Sequence, residues 1–177
     1  MSEIITTRKV FKAEVDMEGP VTQSGAVTQS GAVTQSGAVT QSGGTTISGA
    51  LTVNGKVLPA GGTFVVGAAH TSSVNVACQL VDAAGADLAH SVVVEAYLSD
   101  AATGLGFTGT APDGDVAVGT DGAILGEVVA DKYFMVETEA DGDFDLDIGH
   151  TAGAHDWYLV LLVDGVKFVS GKIEITA

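Results

Sequence analysis

Apolar and polar residues follow two different periods along this chain, six residues at first and two residues later. Between residues 21 and 43 the hexad Val-Thr-Gln-Ser-Gly-Ala is written three times and most of a fourth. The register outlasts these perfect copies, because glycine occupies positions 25, 31, 37, 43, 49, 55 and 61. One position of each hexad is mostly aliphatic and holds Val21, Val27, Val33, Val39, Thr45, Leu51 and Val57. We therefore predict a single repetitive element over residues 21–62.

Three structures compete for the hexads. A flexible linker has no reason to keep an aliphatic residue at every sixth position. A single-chain left-handed β-helix of the hexapeptide-acyltransferase type places three six-residue units in each turn. Seven units would stack to only about 10 Å of solenoid, which is too short to stand alone. In the third structure, three identical chains wind into a fibrous β-prism or triple β-helix that shares one core.

The energetics of one hexad favour the shared core. Each hexad offers a Val side chain and an Ala methyl, roughly 2 to 3 kcal/mol of gross burial, against about 1 to 2 kcal/mol for ordering each of six residues. Sharing the core among chains offsets this deficit, so the hexads predict a homotrimeric stalk. The predicted trimer contacts are Val21, Val27, Val33, Val39, Ile47, Leu51, Val53 and Val57.

Residues 1–20 form a separate head segment that is too short to bury a core of its own. Charges of both signs alternate loosely with apolar residues until Gly19-Pro20 interrupts regular structure. Such a segment is either a disordered tail or an anchor that orders on a partner surface, and its mixed charge favours the anchor. The predicted anchor contacts are Ile4, Ile5, Arg8, Lys9, Val10, Phe11 and Lys12.

From Thr63 the apolar period becomes two, which is typical of β-strands. Two Asp-Gly pairs, Asp141-Gly142 and Asp164-Gly165, predict hairpin turns. The run 157–163 is apolar on both faces and predicts a central strand covered on both sides. The predicted fold is all-β, with residues 63–177 forming an antiparallel, immunoglobulin-like β-sandwich. Its strands are expected near 63–66, 74–80, 92–98, 116–118, 124–129, 133–139, 144–148, 157–163 and 166–175.

Four segments of this predicted sandwich resemble a β-sandwich module of structural proteins from tailed bacteriophages. They are EAYLSD (95–100), TAPDGDVAVGTDGAI (110–124), ETEADGDFDLDI (137–148) and WYLVLLVDGVKFVSGKIEI (157–175). The hexad stalk is similar in kind to the trimeric shafts of phage head fibres and tail fibres. The resemblance implies a virion protein of the head-fibre or capsid-decoration type, which binds the major capsid protein or another virion surface. It implies no catalytic residue.

The charge of the chain excludes several classes of partner. A net charge of −15 is unsuited to nucleic-acid phosphates or anionic lipid. Residues 1–20 hold four of the 22 acids and three of the seven bases, which leaves 18 acids and four bases in the remaining 157 residues. The one cysteine, Cys78, has no internal disulfide partner and is expected in a buried strand. With no signal peptide or apolar span, we expect assembly into a virion in the host cytoplasm.

The densest acidic group invites a comparison with calcium sites. The glycine and the bidentate glutamate of an EF-hand loop are missing, since Leu146 and Ala152 hold those positions. Alternate residues of a strand share one face, so a solvated acidic face is favoured over an ion site. A divalent ion shared with Asp113 or Asp115 is the alternative. The group consists of Asp141, Asp143, Asp145 and Asp147.

Other chemically capable residues lack partners at the spacing of known sites. No catalytic residue, metal or cofactor is predicted, and an enzyme of the hexapeptide-transferase type would need a histidine near the repeats, where none precedes His70. Trp157 is expected in the core rather than on a carbohydrate platform. An alternative function, a tail-fibre or adhesin-type module for host surface glycan, would use loops 100–114 or 149–156. The histidines expected in loops are His70, His90, His150 and His155.

Overall fold

The computed structural model describes residues 58–163 and 165–177 and, before residue 58, only the residues of ten short strands. The chain divides into two compact units, Met1–Val53 and Asn54–Ala177. The predicted boundary at residues 62 and 63 lies inside the strand Gly61–Val66 of the second unit.

Parallel pairing with a constant offset organises the strands of the first unit. Glu3 pairs with Val21 and Val21 with Val39, so partners lie 18 residues apart. The same offset relates the other parallel pairs, including Val15 with Val33. An 18-residue offset is three hexads, the spacing of a single-chain β-helix that closes its own three-walled turns, and it differs from the three chains wound around one shared core that the hexads predicted. The strands are β1 (Glu3–Ile5), β2 (Val10–Phe11), β3 (Val15–Glu18), β4 (Val21–Ser24), β5 (Val27–Gln29), β6 (Val33–Ser36), β7 (Val39–Ser42), β8 (Thr45–Ile47) and β9 (Thr52–Val53).

Apart from the strand Lys56–Val57, the second unit consists of two antiparallel sheets, and its described residues include no helix. This confirms the all-β class. Its strands are β10 (Lys56–Val57), β11 (Gly61–Val66), β12 (Ser73–Val81), β13 (Val93–Ser99), β14 (Val116–Val118), β15 (Ala123–Val129), β16 (Tyr133–Glu137), β17 (Asp143–Gly149), β18 (His155–Val163), β19 (Val166–Val169) and β20 (Ile173–Ile175). The first sheet has the order β11-β12-β17-β14, and the second has the order β15-β16-β13-β18-β19, with β20 also paired to β18.

Alternating residues of both sheets meet in one core, as a sandwich-like fold requires. In β12, for example, Val74, Val76, Cys78 and Leu80 are buried while the residues between them are half-buried. The core also takes alternate residues from β13, β16, β17, β18 and β20. Cys78 is 2% exposed in β12, which confirms its predicted place in a buried strand. Burial raises the pKa of its thiol to about 12, which leaves it uncharged.

The two predicted hairpins have different outcomes. Strands β18 and β19 pair from Val163 and Val166 onward, so the hairpin predicted at Asp164-Gly165 is confirmed. The hairpin predicted at Asp141-Gly142 is wrong, because β16 belongs to the second sheet and β17 to the first. The turn itself is tight, but the chain then crosses between sheets, and both strands direct their apolar residues into the common core.

The central strand predicted from the apolar run 157–163 is present as β18. It lies between β13 on one side and β19 and β20 on the other. Leu159, Val160 and Leu161 are all fully buried, although Val160 points away from the core between the sheets. Another segment of the chain must therefore cover Val160 on the outer face of this sheet.

Candidate functional site

The two loops singled out in the sequence, 100–114 and 149–156, lie against each other. The amide of Thr151 donates to Asp113 Oδ1 at 2.6 Å, and the amide of Gly114 donates to the carbonyl oxygen of Gly149 at 3.0 Å. A Cβ atom on Gly149 would lie 2.3 Å from the carbonyl oxygen of Gly114, so this close approach requires glycine at position 149. Backbone contact therefore fixes one loop on the other.

Trp157 lies beneath the two loops, fully buried at the start of β18. Its indole Nε1 donates to Thr108 Oγ1 at 3.0 Å and to the carbonyl oxygen of Thr110 at 3.1 Å. The rings of His150 and His155 pack on it, with centroids 5.0 and 4.3 Å away. The core position predicted for Trp157 is confirmed, and its ring offers no exposed platform.

Each histidine contacts an aspartate of the opposite loop. His150 Nδ1 lies 2.8 Å from Asp113 Oδ1, and His155 Nε2 lies 3.3 Å from Asp100 Oδ1. The amide of Asp113 also donates to His150 Nδ1 at 3.3 Å. The prediction that His155 lies in a loop is wrong, since it pairs with Ile175 as the first residue of β18.

The pKa values of both aspartates fall below their usual range. For Asp113, the amide of Thr151 is the main cause, and the nearby His150 adds to it. For Asp100, burial raises the pKa, but hydrogen bonds from the Thr108 hydroxyl, the Gly109 amide and His155 outweigh burial and lower it. Both carboxylates are therefore charged acceptors that hold the loops together.

A shallow cavity of about 550 Å³ opens beside His155. Carboxylates dominate its rim, where Lys172 pairs with Asp156 at 3.3 Å and with Glu174 at 2.8 Å. Such a rim accepts hydrogen bonds from the hydroxyl groups of a ligand. The lining residues are Asp100, Ala154, His155, Asp156, Glu174, Ile175, Thr176 and Ala177.

The acidic row of β17 is only partly a solvated face, which corrects the prediction for Asp145. This residue is 7% exposed, and one of its oxygens accepts the amides of Thr120 and Asp121, each at 2.7 Å. The other oxygen accepts from Asn75 Nδ2 at 2.5 Å. Although burial alone would raise its pKa, these hydrogen bonds lower it. Asp145 therefore fixes the turn before β15.

Asp143, the next carboxylate of the same row, has the opposite electrostatic character. Burial, and then a hydrogen bond and charge from Asp141, raise its pKa to about 6. Its Oδ1 is buried without a hydrogen-bond partner.

Asp113, named with Asp115 as an alternative ion partner, contacts His150 instead. In the part of the chain that the structure describes, no three His, Cys, Asp or Glu side chains are arranged to hold a metal ion.

The predicted anchor and stalk residues fall on short strands where they are described. Ile4 and Ile5 lie in β1, and Val10 and Phe11 lie in β2, while Arg8, Lys9, Lys12 and Leu51 lie outside the described residues. Val57 is half-buried against the core of the second unit. Their predicted contacts with a partner surface and with other chains stay predictions. The stalk residues Val21, Val27, Val33, Val39, Ile47 and Val53 lie in β4, β5, β6, β7, β8 and β9.

Neither a protein-family model nor a curated protein sequence matches the chain. Among the described residues, no helix has the length and apolar character needed to cross a membrane.

Proposed function

We propose that this chain is a structural virion protein, a homotrimeric head fibre or capsid decoration protein. Residues 1–20 attach it to the major capsid protein or another virion surface, and residues 21–62 form the shaft. The acidic β-sandwich, residues 63–177, faces outward. The observation that carries the proposal is a seven-rung, six-residue register joined to a separate acidic β-sandwich. No reaction, cofactor, nucleic acid or membrane forms part of this role.

The homotrimer is supported by the apolar content of the hexads. The 18-residue pairings lie within one chain, so the proposal replaces the shared core expected from the sequence by three chains that each close their own turns and associate side by side. Closing a turn does not enlarge the roughly 2 to 3 kcal/mol of gross burial that each hexad offers. Contact with neighbouring chains supplies the missing burial.

Attachment is tested with particles that carry this protein. Density on intact particles should show three copies around each attachment point, and removal of residues 1–20 should abolish attachment while leaving a soluble trimer. If the shortened chain still attached to particles, the anchor would lie elsewhere. If it became a monomer, residues 1–20 would act in assembly instead, a result that the pairing of β1 with β4 makes important to check.

A second candidate function is an adhesin-type or tail-fibre module that binds host surface glycan. The observation that favours it is the convergence of loops 100–114 and 149–156 beside the carboxylate-rimmed cavity. Three copies on one stalk would give a weak site useful avidity. A glycan array should then show binding that Asp156→Ala weakens and that Asp87→Ala, on an exposed turn, does not. A blank array at high protein concentration would rule this candidate out.

A further inference from the structure

The 18-residue pairing joins residues 3–18 to the hexads as one further turn. Strand β1 pairs with β4, β2 with β5 and β3 with β6, each in parallel. These pairings belong to three short sheets, with the orders β1-β4-β7, β2-β5-β8 and β3-β6. We name these sheets the first, second and third wall of the stalk, and we name residues 3–18 its first turn.

All seven charged side chains of the first unit lie in the first turn, and they are sorted by wall. Residues 19–53 contain no Asp, Glu, Lys or Arg. Residues 8–12, around β2 of the second wall, hold three bases and no acid, whereas residues 14–18, around β3 of the third wall, hold three acids and no base. The first wall has Glu3 alone. The bases are Arg8, Lys9 and Lys12, and the acids are Glu14, Asp16 and Glu18.

Opposite charges occupy equivalent positions of successive hexads. Arg8 and Glu14 are six residues apart, and so are Lys12 and Glu18. In the perfect repeats these two positions hold Ala and Ser, which are the same on every wall. Asp16 shares a face of β3 with Glu18, because alternate residues of a strand lie on one face. The second and third walls of the first turn therefore carry opposite charges at matched positions.

The perfect repeats do not specify how neighbouring chains align. Strands β4, β6 and β7 each read Val-Thr-Gln-Ser, and β5 reads Val-Thr-Gln. A neighbouring chain that is displaced by one turn, or rotated by one wall, would meet the same residues again. Uniform strands specify register weakly, whereas charged positions specify it strongly. Within residues 1–42, only the first turn breaks this equivalence, and charge distinguishes its second wall from its third.

We infer that the second wall of the first turn contacts the third wall of the first turn in a neighbouring copy of this chain. Arg8 and Lys12 then face the partner's Glu14 and Glu18. The contact joins different walls of two copies, so repeating it three times closes the ring of the proposed homotrimer. Exposed ion pairs add little affinity, so the hexads supply the association and these charges select its register. The inference rests on the proposed homotrimer and deepens it by naming the residues that align the chains.

Charge reversal with rescue, in the full chain, tests the contact. Arg8→Glu with Lys12→Glu reverses the sign of the second wall, and Glu14→Lys with Glu18→Lys reverses the sign of the third. Each pair should raise the concentration at which half of the protein is trimeric by about tenfold or more, because every contact of the ring then joins like charges. The fourfold variant combines both pairs and restores opposite charges, so this concentration should return to within about threefold of that of the unsubstituted chain. Sedimentation equilibrium measures it.

Two controls check that the effect belongs to this contact. Glu3→Lys reverses the single charge of the first wall and should leave the concentration for half-trimerisation unchanged. Raising NaCl from about 0.05 to about 0.5 M should weaken the unsubstituted trimer and strengthen the trimers of both reversed pairs, since salt screens attraction and repulsion alike. The fourfold variant carries all four substitutions, so its recovery also shows that none of them prevents folding.

The outcomes separate the contact from the homotrimer itself. If both reversed pairs form trimers as readily as the unsubstituted chain, the contact is wrong and the homotrimer stands. If such trimers also fail to attach to particles, the charges face the virion surface instead. A fourfold variant that stays as weak as the reversed pairs would overturn the contact too, since it would show that the four residues do not act as opposed pairs. A monomeric unsubstituted chain would overturn both proposals.

Discussion

The two units of this chain pair their strands differently, in parallel in the first unit and antiparallel in the second. In the first unit, the parallel pairs of the described strands join residues 18 apart, as Glu3 joins Val21. In the second unit, pairing is antiparallel and the sequence separation of partners varies, from Val163 with Val166 to Val74 with Ile148. The hexads offer small side chains, whereas the sandwich buries Trp157 and several Phe, Leu and Ile residues. We therefore expect the sandwich to be stable by itself and, under the proposed homotrimer, the hexads to depend on assembly.

Removing the aliphatic residues of the hexads should have the largest effect. Replacing Val21, Val27, Val33 and Val39 by Ser removes most of the apolar surface that the perfect repeats can bury, so the trimer should be lost altogether. Light scattering should show the mass of one chain, while the urea midpoint of the sandwich stays the same. Replacing Gln23, Gln29, Gln35 and Gln41 by Ser is the matched control and should leave the mass unchanged. Equal effects of the two sets would contradict a stalk held by its aliphatic residues.

Truncating the central aromatic residue should have the next largest effect, now confined to the sandwich. Trp157→Ala leaves a cavity and deprives Thr108 of its indole partner, so the free energy of unfolding should fall by about 3 to 5 kcal/mol. Urea unfolding followed by tyrosine fluorescence measures it. Val65→Ala, on an exposed position, should change it by less than about 0.5 kcal/mol. A loss of the trimer in Trp157→Ala, with the sandwich still folded, would show that the two units are not independent.

Asp145 tests the correction made to the acidic row. Asp145→Ala leaves the amides of Thr120 and Asp121 without their acceptor, so unfolding should become easier by about 1 to 3 kcal/mol. The measurement is again the urea midpoint. Asp87→Ala is the control, because its side chain is exposed. Equal midpoints for both variants would show that the row is solvated throughout, as the sequence predicts.

These corrections show what periodicity can and cannot predict. A period of two identifies which residues face a core, and so the strands, the buried Trp157 and the all-β class follow from the sequence. Periodicity does not say which strand is a neighbour. The turn at Asp141-Gly142 has hairpin chemistry, yet β16 pairs with β13 and β15 while β17 pairs with β12 and β14. The pairing of His150 with Asp113 depends on that topology and has no local signal.

The loop over the outer face of the second sheet was missed for a related reason. In the sequence, residues 100–109 are rich in glycine and small residues and predict only a connection. Two apolar residues, Leu105 and Phe107, are the one available sign of packing. Their partners, Tyr97 and Tyr133, lie on strands whose outward residues are expected to face water, so the cover becomes evident only from the three-dimensional register.

The smallest expected effect is a dependence of sandwich stability on pH. The pKa of Asp143, about 6 when folded, lies above its value in the unfolded chain, so its charge destabilises the fold above pH 6 and stability rises as pH falls toward 4. The lowered pKa of Asp145 acts in the opposite direction. The charged carboxylate stabilises the fold fully above the pKa of Asp145 in the unfolded chain, and this stabilisation is lost as pH falls through its pKa in the folded chain. Asp143→Asn should raise the urea midpoint at pH 8, and this gain should shrink toward pH 4. A gain independent of pH would contradict this account.

The mass of the intact chain in solution is the most direct test of the contrast between the two units. Sedimentation equilibrium over a range of concentrations should give three times the 17.7 kDa chain mass, because hexads this poor in apolar residues need neighbouring chains. A mass of one chain at every concentration, with the hexads protected from protease, would show that the first unit is stable alone and would contradict the central claim.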